Sequence, residues 1–200
     1  MHPNPAYRQD DRALFEALID EIGFGMIFAE APDGPRVAHT PLWSTGDGAL
    51  QFHLARGNAL ARHLPDRKAL ALVNGPDAYV SARWYDQPGH VPTWNYIALE
   101  LEGPVRRMAQ EGLLALLETL SNRQEARIDG GEPWTMRALA ASEMREHLKG
   151  IVGFEMEIKA WRPTLKLSQN TSAQERAHIA DALEQQGSLA MAQLMRRLVP

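Results

Sequence analysis

The 200-residue chain contains no cysteine, which excludes disulfides, thiolate metal ligation and a cysteine nucleophile together. It has no apolar run approaching the ~20 residues a membrane-spanning helix requires. The start, Met1-His2-Pro3-Asn4-Pro5, has no basic stretch leading into an apolar one, so no signal peptide is expected and the cytoplasm is the expected compartment. Basic excess is missing too: 21 Lys and Arg stand against 25 Asp and Glu, for a formal net charge of −4. Phosphate neutralisation supplies most of the affinity of duplex-binding proteins. The pairs Arg106-Arg107 and Arg196-Arg197 are short, so charge argues against direct duplex binding by this chain alone. Also absent are G-x-G-x-x-G, a P-loop, G-x-S-x-G and the His-x-x-x-His or His-Glu-x-x-His spacings of metal sites. No native metal site and no catalytic nucleophile is expected.

With 44% hydrophobic and 23% charged residues, the chain has the composition of a globular protein. Its length fits one domain over 1–200, with a helical C-terminal extension from about 172. Asp11 can cap a helix over 12–22, whose stripe of Leu14, Leu18 and Ile22 stops at Gly23. Three strands (24–30, 37–43 and 49–54) joined by short turns predict an antiparallel meander. A helical turn through His63, a strand over 68–74 and a turn at Asn74-Gly75-Pro76-Asp77 follow. Residues 78–95 read as a long loop, of the kind that is usually functional. A strand from Ile97 to about Met108 precedes helices over 111–120 and 142–148. Residues 152–161 read as one strand. Ser172-Ala173-Gln174-Glu175 is a capping box opening a helix over 173–186, and a last helix spans 188–198. Helix, strands, helices, strand, helices is an α+β order, with an antiparallel sheet able to close on itself and helices at its flanks.

The segment His90-Val91-Pro92-Thr93-Trp94-Asn95-Tyr96 is too polar and aromatic for a core strand. Its indole, amide and phenol suit a flat ligand, or else pin a loop or a subunit contact. Ala55-Arg56-Gly57-Asn58 is either a surface turn or a phosphate cradle at a helix start. Lys166, Ser168, Gln169 and Asn170 offer a cation, a hydroxyl and two amides. That mixture suits a phosphate or ribityl chain, or simply leads into the Ser172 cap. His39 and His53 each read as a strand histidine or a ligand.

These segments together resemble the PaiB-type family of FMN-binding negative transcriptional regulators. The resemblance runs in order through His39-Thr40-Pro41-Leu42, His53-Leu54-Ala55-Arg56-Gly57-Asn58, Gly75 to Ser81, Trp84-Tyr85, Val91 to Tyr96, Ile151 to Glu155 and Lys166 to Asn170. It implies an FMN-binding split β-barrel, usually a homodimer with flavin at the subunit interface. By the same resemblance Arg56 and Asn58 would hold the FMN phosphate, with His39, Thr40, Leu42, His53 and Ala55 along the cofactor. Thr93, Trp94 and Asn95 would close the site, and Lys166, Ser168, Gln169 and Asn170 would complete it. The implied function is a flavin-dependent regulator. The alternatives are a flavin-dependent oxidoreductase and a dimeric interaction protein that has lost flavin.

Overall fold

Leu50, Phe52 and Leu54 alternate along β3 (Ala49–Ala55) and are all buried, and the sheet is organised around this strand. The computed structural model describes residues 2–199. Contacts divide the chain into two compact units, one of residues 16–73 and 101–161, the other of 1–15, 74–100 and 162–200. They are called here the sheet unit and the terminal unit. The chain passes between them within α1 (Arg12–Ile22), β4 (Arg67–Val80), β5 (Thr93–Arg107) and β7 (Ala160–Lys166).

In the sheet unit, β1 (Phe24–Ala31), β2 (Gly34–Ser44) and β3 form the expected antiparallel meander. β3 then pairs antiparallel with β6 (Ile151–Glu157), from Ala49↔Glu157 to Ala55↔Ile151. This register places Phe52 opposite Phe154, and their rings stack 5.5 Å apart. On the sheet's other face His53 is opposite Gly153. β1 also pairs with the first part of β4, and β6 with the last residues of β5. α2 (Ala59–His63) follows β3, while α3 (Gln110–Glu125) packs on β2, β3 and β6, and α4 (Ala141–Lys149) leads into β6. The strand order is β4-β1-β2-β3-β6-β5-β7, and a further β4–β5 pairing closes six of these strands into a ring of hydrogen bonds.

The terminal unit carries the rest of β4 and β5, most of β7, and the helices α5 (Ala173–Gln185) and α6 (Leu189–Leu198). Ser172 and Glu175 form the expected capping box. Ile179, Ala180 and Leu183 of α5 are buried, as are Met191, Ala192 and Met195 of α6, and the two helices pack together. Among the described residues no helix is long and apolar enough to cross a membrane.

Three elements differ from their sequence expectations. The turn expected at Asn74–Asp77 is continuous strand in β4. A Cβ on Gly75 would lie 2.9 Å from Ile97 Cβ, so this glycine permits close approach to β5 rather than a reversal. The loop expected over 78–95 is confined to 81–92, because β4 runs to Val80 and β5 starts at Thr93. The strand expected over 152–161 is two strands, β6 and β7. It breaks where Ile158 N–H donates to Gly48 O and Lys159 N–H to Glu102 O, each at 2.8 Å.

That corner presses on β5: a Cβ on Gly103 would lie 1.7 Å from Glu157 O. Gly103→Ala is therefore expected to destabilise the protein by about 3 kcal/mol, at the upper end of ordinary overpacking. The denaturant midpoint measures it, and a shift no larger than that of a surface substitution would contradict the reading.

Candidate functional site

The site residues expected from sequence fall into two clusters, one in each unit. In the sheet unit His39 is exposed on β2, whereas Thr40 and Leu42 are 1% and 2% exposed. Alternation along the strand turns these two side chains into the core, and Thr40 Oγ1–H donates to His53 O at 2.6 Å. Ala55 ends β3 in an exposed position. Asn58 caps α2, its Oδ1 accepting from Leu60 N–H at 2.9 Å. Arg56 donates from Nε to Lys149 O at 2.7 Å and from Nη2 to Ile151 O at 3.1 Å, and its other N–H groups remain available.

Arg56 borders a cleft of about 310 Å³ that Arg107, Arg145 and Lys149 also line, and the lining contains no carboxylate. Lys149 pairs with Glu146 at 2.6 Å. The side chains of Arg107 and Arg145 have no ion-pair or hydrogen-bond partner among the described residues. Ala109, Gln110 and Leu113 bring the first turn of α3 to the same cleft, and the N-cap Ala109 makes no side-chain capping bond. Convergent cations beside free backbone N–H groups favour a phosphate or a comparable anion.

Arg107, Arg145 and Lys149 are not among the residues expected from sequence, and the cleft brings them beside Arg56. One signal was present in the Arg106-Arg107 pair, because neighbours on a strand face opposite ways. Arg106 pairs with Glu155, while Arg107 borders the cleft. Among the described residues no group of three or more His, Asp or Glu is placed to hold a metal ion.

In the terminal unit Lys166 and Thr93 meet, Nζ hydrogen-bonding to Oγ1. The ammonium lies 5.9 Å from the centre of the Tyr7 ring, and burial pushes its pKa down. Tyr7 O–H donates to Asn170 Oδ1 at 3.0 Å, and burial followed by the proximity of Tyr96 pushes the phenol up. Asn95 is fully buried: its Nδ2 donates to Ser168 Oγ at 2.9 Å and contacts Met195 Sδ at 3.4 Å. Ser168 adopts φ +61°, an uncommon conformation for a residue other than glycine. The Asn95 bond and the Ser168 carbonyl, which accepts from Thr171 N–H at 3.1 Å, hold it there. Gln169 Oε1 accepts from Leu167 N–H at 2.7 Å. Asn95, Ser168 and Gln169 are thus occupied in shaping the β7–α5 connection. Trp94 is 53% exposed and meets Tyr79 edge-on, with ring centres 5.0 Å apart.

His53 borders a second cleft of the sheet unit, about 510 Å³ in volume. Its Nδ1 is buried with no hydrogen-bond partner, and burial lowers its pKa from 6.5. The other ionisable group on that cleft is Glu125 of α3. The unfolded chain binds a proton at His53 more readily than the folded one, so stability falls as pH drops below the unfolded value of 6.5. Melting temperatures from pH 7.5 to 5.5 are expected to fall more steeply for the natural protein than for His53→Gln. Parallel slopes would remove His53 as a source of this acid sensitivity.

The sequence profile of the family described as "Putative FMN-binding domain" matches residues 1–160. The chain is 28% identical over 185 residues to "Protease synthase and sporulation protein PAI 2" of Bacillus subtilis, covering 89% of this chain and 88% of that protein. Among solved structures, the FAD and heme binding protein from Mycobacterium smegmatis is similar with a TM-score of 0.60 at 17% identity, covering 84% of this chain and 77% of that one. The flavocytochrome Anf3 from Azotobacter vinelandii is similar with a TM-score of 0.57 at 15% identity, covering 78% and 68%. At these identities the structural likeness speaks for the fold alone. The match over 160 of 200 residues carries the family assignment, and the chain belongs to the FMN-binding domain family.

Proposed function

We propose that this protein binds FMN, with the phosphate in the cleft lined by Arg56, Arg107, Arg145 and Lys149. The observation that carries the reading is the convergence of those four cations, with no carboxylate among the lining residues, in a chain of net charge −4. A phosphomonoester brings roughly two negative charges near neutral pH, and bidentate guanidinium contacts suit its oxygens. Family membership supplies the ligand's identity. Asn58 is engaged in capping α2, so the phosphate contacts fall to the basic side chains. Bound FMN would supply one- or two-electron redox chemistry. The protein's part is to hold the phosphate by charge and to position the ribityl chain and ring.

The finer reading is a flavin-responsive regulator working as a homodimer, as the PaiB-type resemblance implies. The B. subtilis relative, similar along most of both chains, supports the PaiB-type resemblance itself. Light scattering of the purified protein tests the dimer. A salt-dependent shift of promoter DNA would be needed to assign the DNA contact to this chain.

Riboflavin and FMN differ only in the phosphate, so they isolate the cleft's contribution. FMN is expected to raise the melting temperature more than riboflavin at equal concentration, because ligand bound to the native state stabilises by mass action. Arg107→Ala and Arg145→Ala are each expected to weaken FMN binding about tenfold, the scale of one charge-assisted hydrogen bond, while leaving riboflavin binding unchanged. Equal effects of FMN and riboflavin on the natural protein would remove the phosphate from this cleft.

A further inference from the structure

The loop of residues 81–92 joins β4 to β5 within the terminal unit. Near its start a single 3-10 turn, Ala82–Trp84, packs on α5. Beyond that turn the loop is fastened to the same helix by two histidine–carboxylate pairs of opposite polarity. Asp86 of the loop meets His178 of α5, Oδ1 to Nδ1 at 2.8 Å. His90 of the loop faces Glu175 of α5, Nε2 to Oε1 at 3.7 Å. Glu175 and His178 lie one turn apart on the same helix face, so the pairs sit side by side.

Their surroundings differ. Asp86 and His178 are partly open to water, whereas the Glu175 side chain is only 9% exposed. Its Oε2 accepts from Ser172 N–H at 3.4 Å in the capping box, but Oε1 is buried without a hydrogen bond. A buried carboxylate oxygen without a donor is costly, and the group beside it that can turn cationic is His90. The Tyr85 ring stacks on His90, with centres 4.1 Å apart, and orients the imidazole. Burial, then Tyr7 and Glu175, push the Tyr85 phenol up, so it stays uncharged where histidine titrates. The other charged groups on these elements are engaged elsewhere. Arg83 donates to Ser81 Oγ, Arg176 donates to Thr171 O, and Asp181 accepts from Arg196.

Protonation acts on both pairs in one direction. It sets a positive N–H on His90 opposite the Glu175 oxygen. It also makes the Asp86–His178 contact fully charge-assisted, which is roughly twice as strong as a neutral bond. A proton bound more tightly in the fastened state favours that state at low pH, and the contribution is lost as pH rises.

We propose that loop 81–92 is a pH-responsive strap, closed on α5 while His90 and His178 are protonated and loosened as they lose their protons. The loop ends at Thr93, so loosening reaches the start of β5. The strap is independent of FMN. Its sign is opposite to that of His53, which weakens the whole fold as pH drops, so a local measurement is needed in place of melting.

Peptide-resolved hydrogen–deuterium exchange of the full chain, without flavin, tests the strap between about pH 5.5 and 7.5, inside the range where histidine changes charge. After correction for intrinsic exchange rates, protection of residues 82–91 is expected to fall about tenfold as pH rises, the combined scale of two partly exposed ion pairs. β3 and β6 are the internal reference and are expected not to fall with it. Added salt at the acid end is expected to reproduce the loss, because it screens exposed pairs, and to have little effect at the alkaline end. His90→Gln and His178→Gln are each expected to remove part of the pH response, and the double substitution to flatten it. Protection of the loop that is independent of pH, or that falls in parallel with β3 and β6, would overturn the proposal. So would a full response surviving in the double variant. If that variant does not fold, salt insensitivity of the natural protein at the acid end overturns it instead.

Discussion

Gly153 is the seat on which α3 rests, and the cationic cleft and the His53 cleft both depend on that seat. A Cβ there would lie 3.2 Å from Leu113 Cβ and Cδ1 and 3.3 Å from Met108 Cβ, tighter than ordinary carbon contacts. The missing side chain lets the first turn of α3 lie directly against β6. The bond from Met108 N–H to Gly153 O, at 2.9 Å, fixes the entry into the helix. With that end fixed, Gln110 and Leu113 border the cationic cleft, and Leu117, Leu120 and Gln124 border the His53 cleft. Opposite Gly153 in the register is His53. One strand pair thus presents an empty position that receives the helix and a histidine that borders the cleft beside it.

The sheet unit also sorts its charges. Glu155 is acted on by burial, which would raise its pKa. The hydrogen bonds from Arg106 and Gln51 outweigh that and hold the carboxyl below its usual range. This pairing takes Arg106 and Glu155 out of play and leaves Arg107 unpaired. A modest excess of acid over base in the whole chain is therefore compatible with a local concentration of positive charge. Such fields depend on where charges lie and not on their sum.

Local pattern was enough wherever one element decides its own conformation. The stripe and cap of α1, the meander of β1 to β3 and the box at Ser172 all follow from spacing and capping chemistry. Pattern was not enough where a partner strand decides. Asn74-Gly75-Pro76-Asp77 has turn composition, yet Ile97 across the ladder makes it strand. Phe154, Met156 and Ile158 alternate with Glu155, Glu157 and Lys159, and it is bonds from Ile158 and Lys159 to distant carbonyls that break the span 152–161 in two. The same division holds for the site. Arg56 was legible because its turn is local. Arg107, Arg145 and Lys149 come from β5 and α4, and no spacing links them to Arg56. The resemblance names Thr40, Leu42 and Asn95 but carries no information on facing. The structure turns all three inward.

The pairing of β3 with β6 has a consequence for how the protein is made. Residues 56–150 separate the two strands, so the meander emerges from the ribosome long before its partner strand exists. During that interval β3 is an edge, with the alternating Leu50, Phe52 and Leu54 uncovered. Long-range closure of this kind is slow, and an uncovered strand edge invites association with other chains. The ring that gives the mature sheet its closure therefore makes the first third of the nascent chain its most vulnerable part, and the rate of synthesis through residue 157 sets how long that exposure lasts.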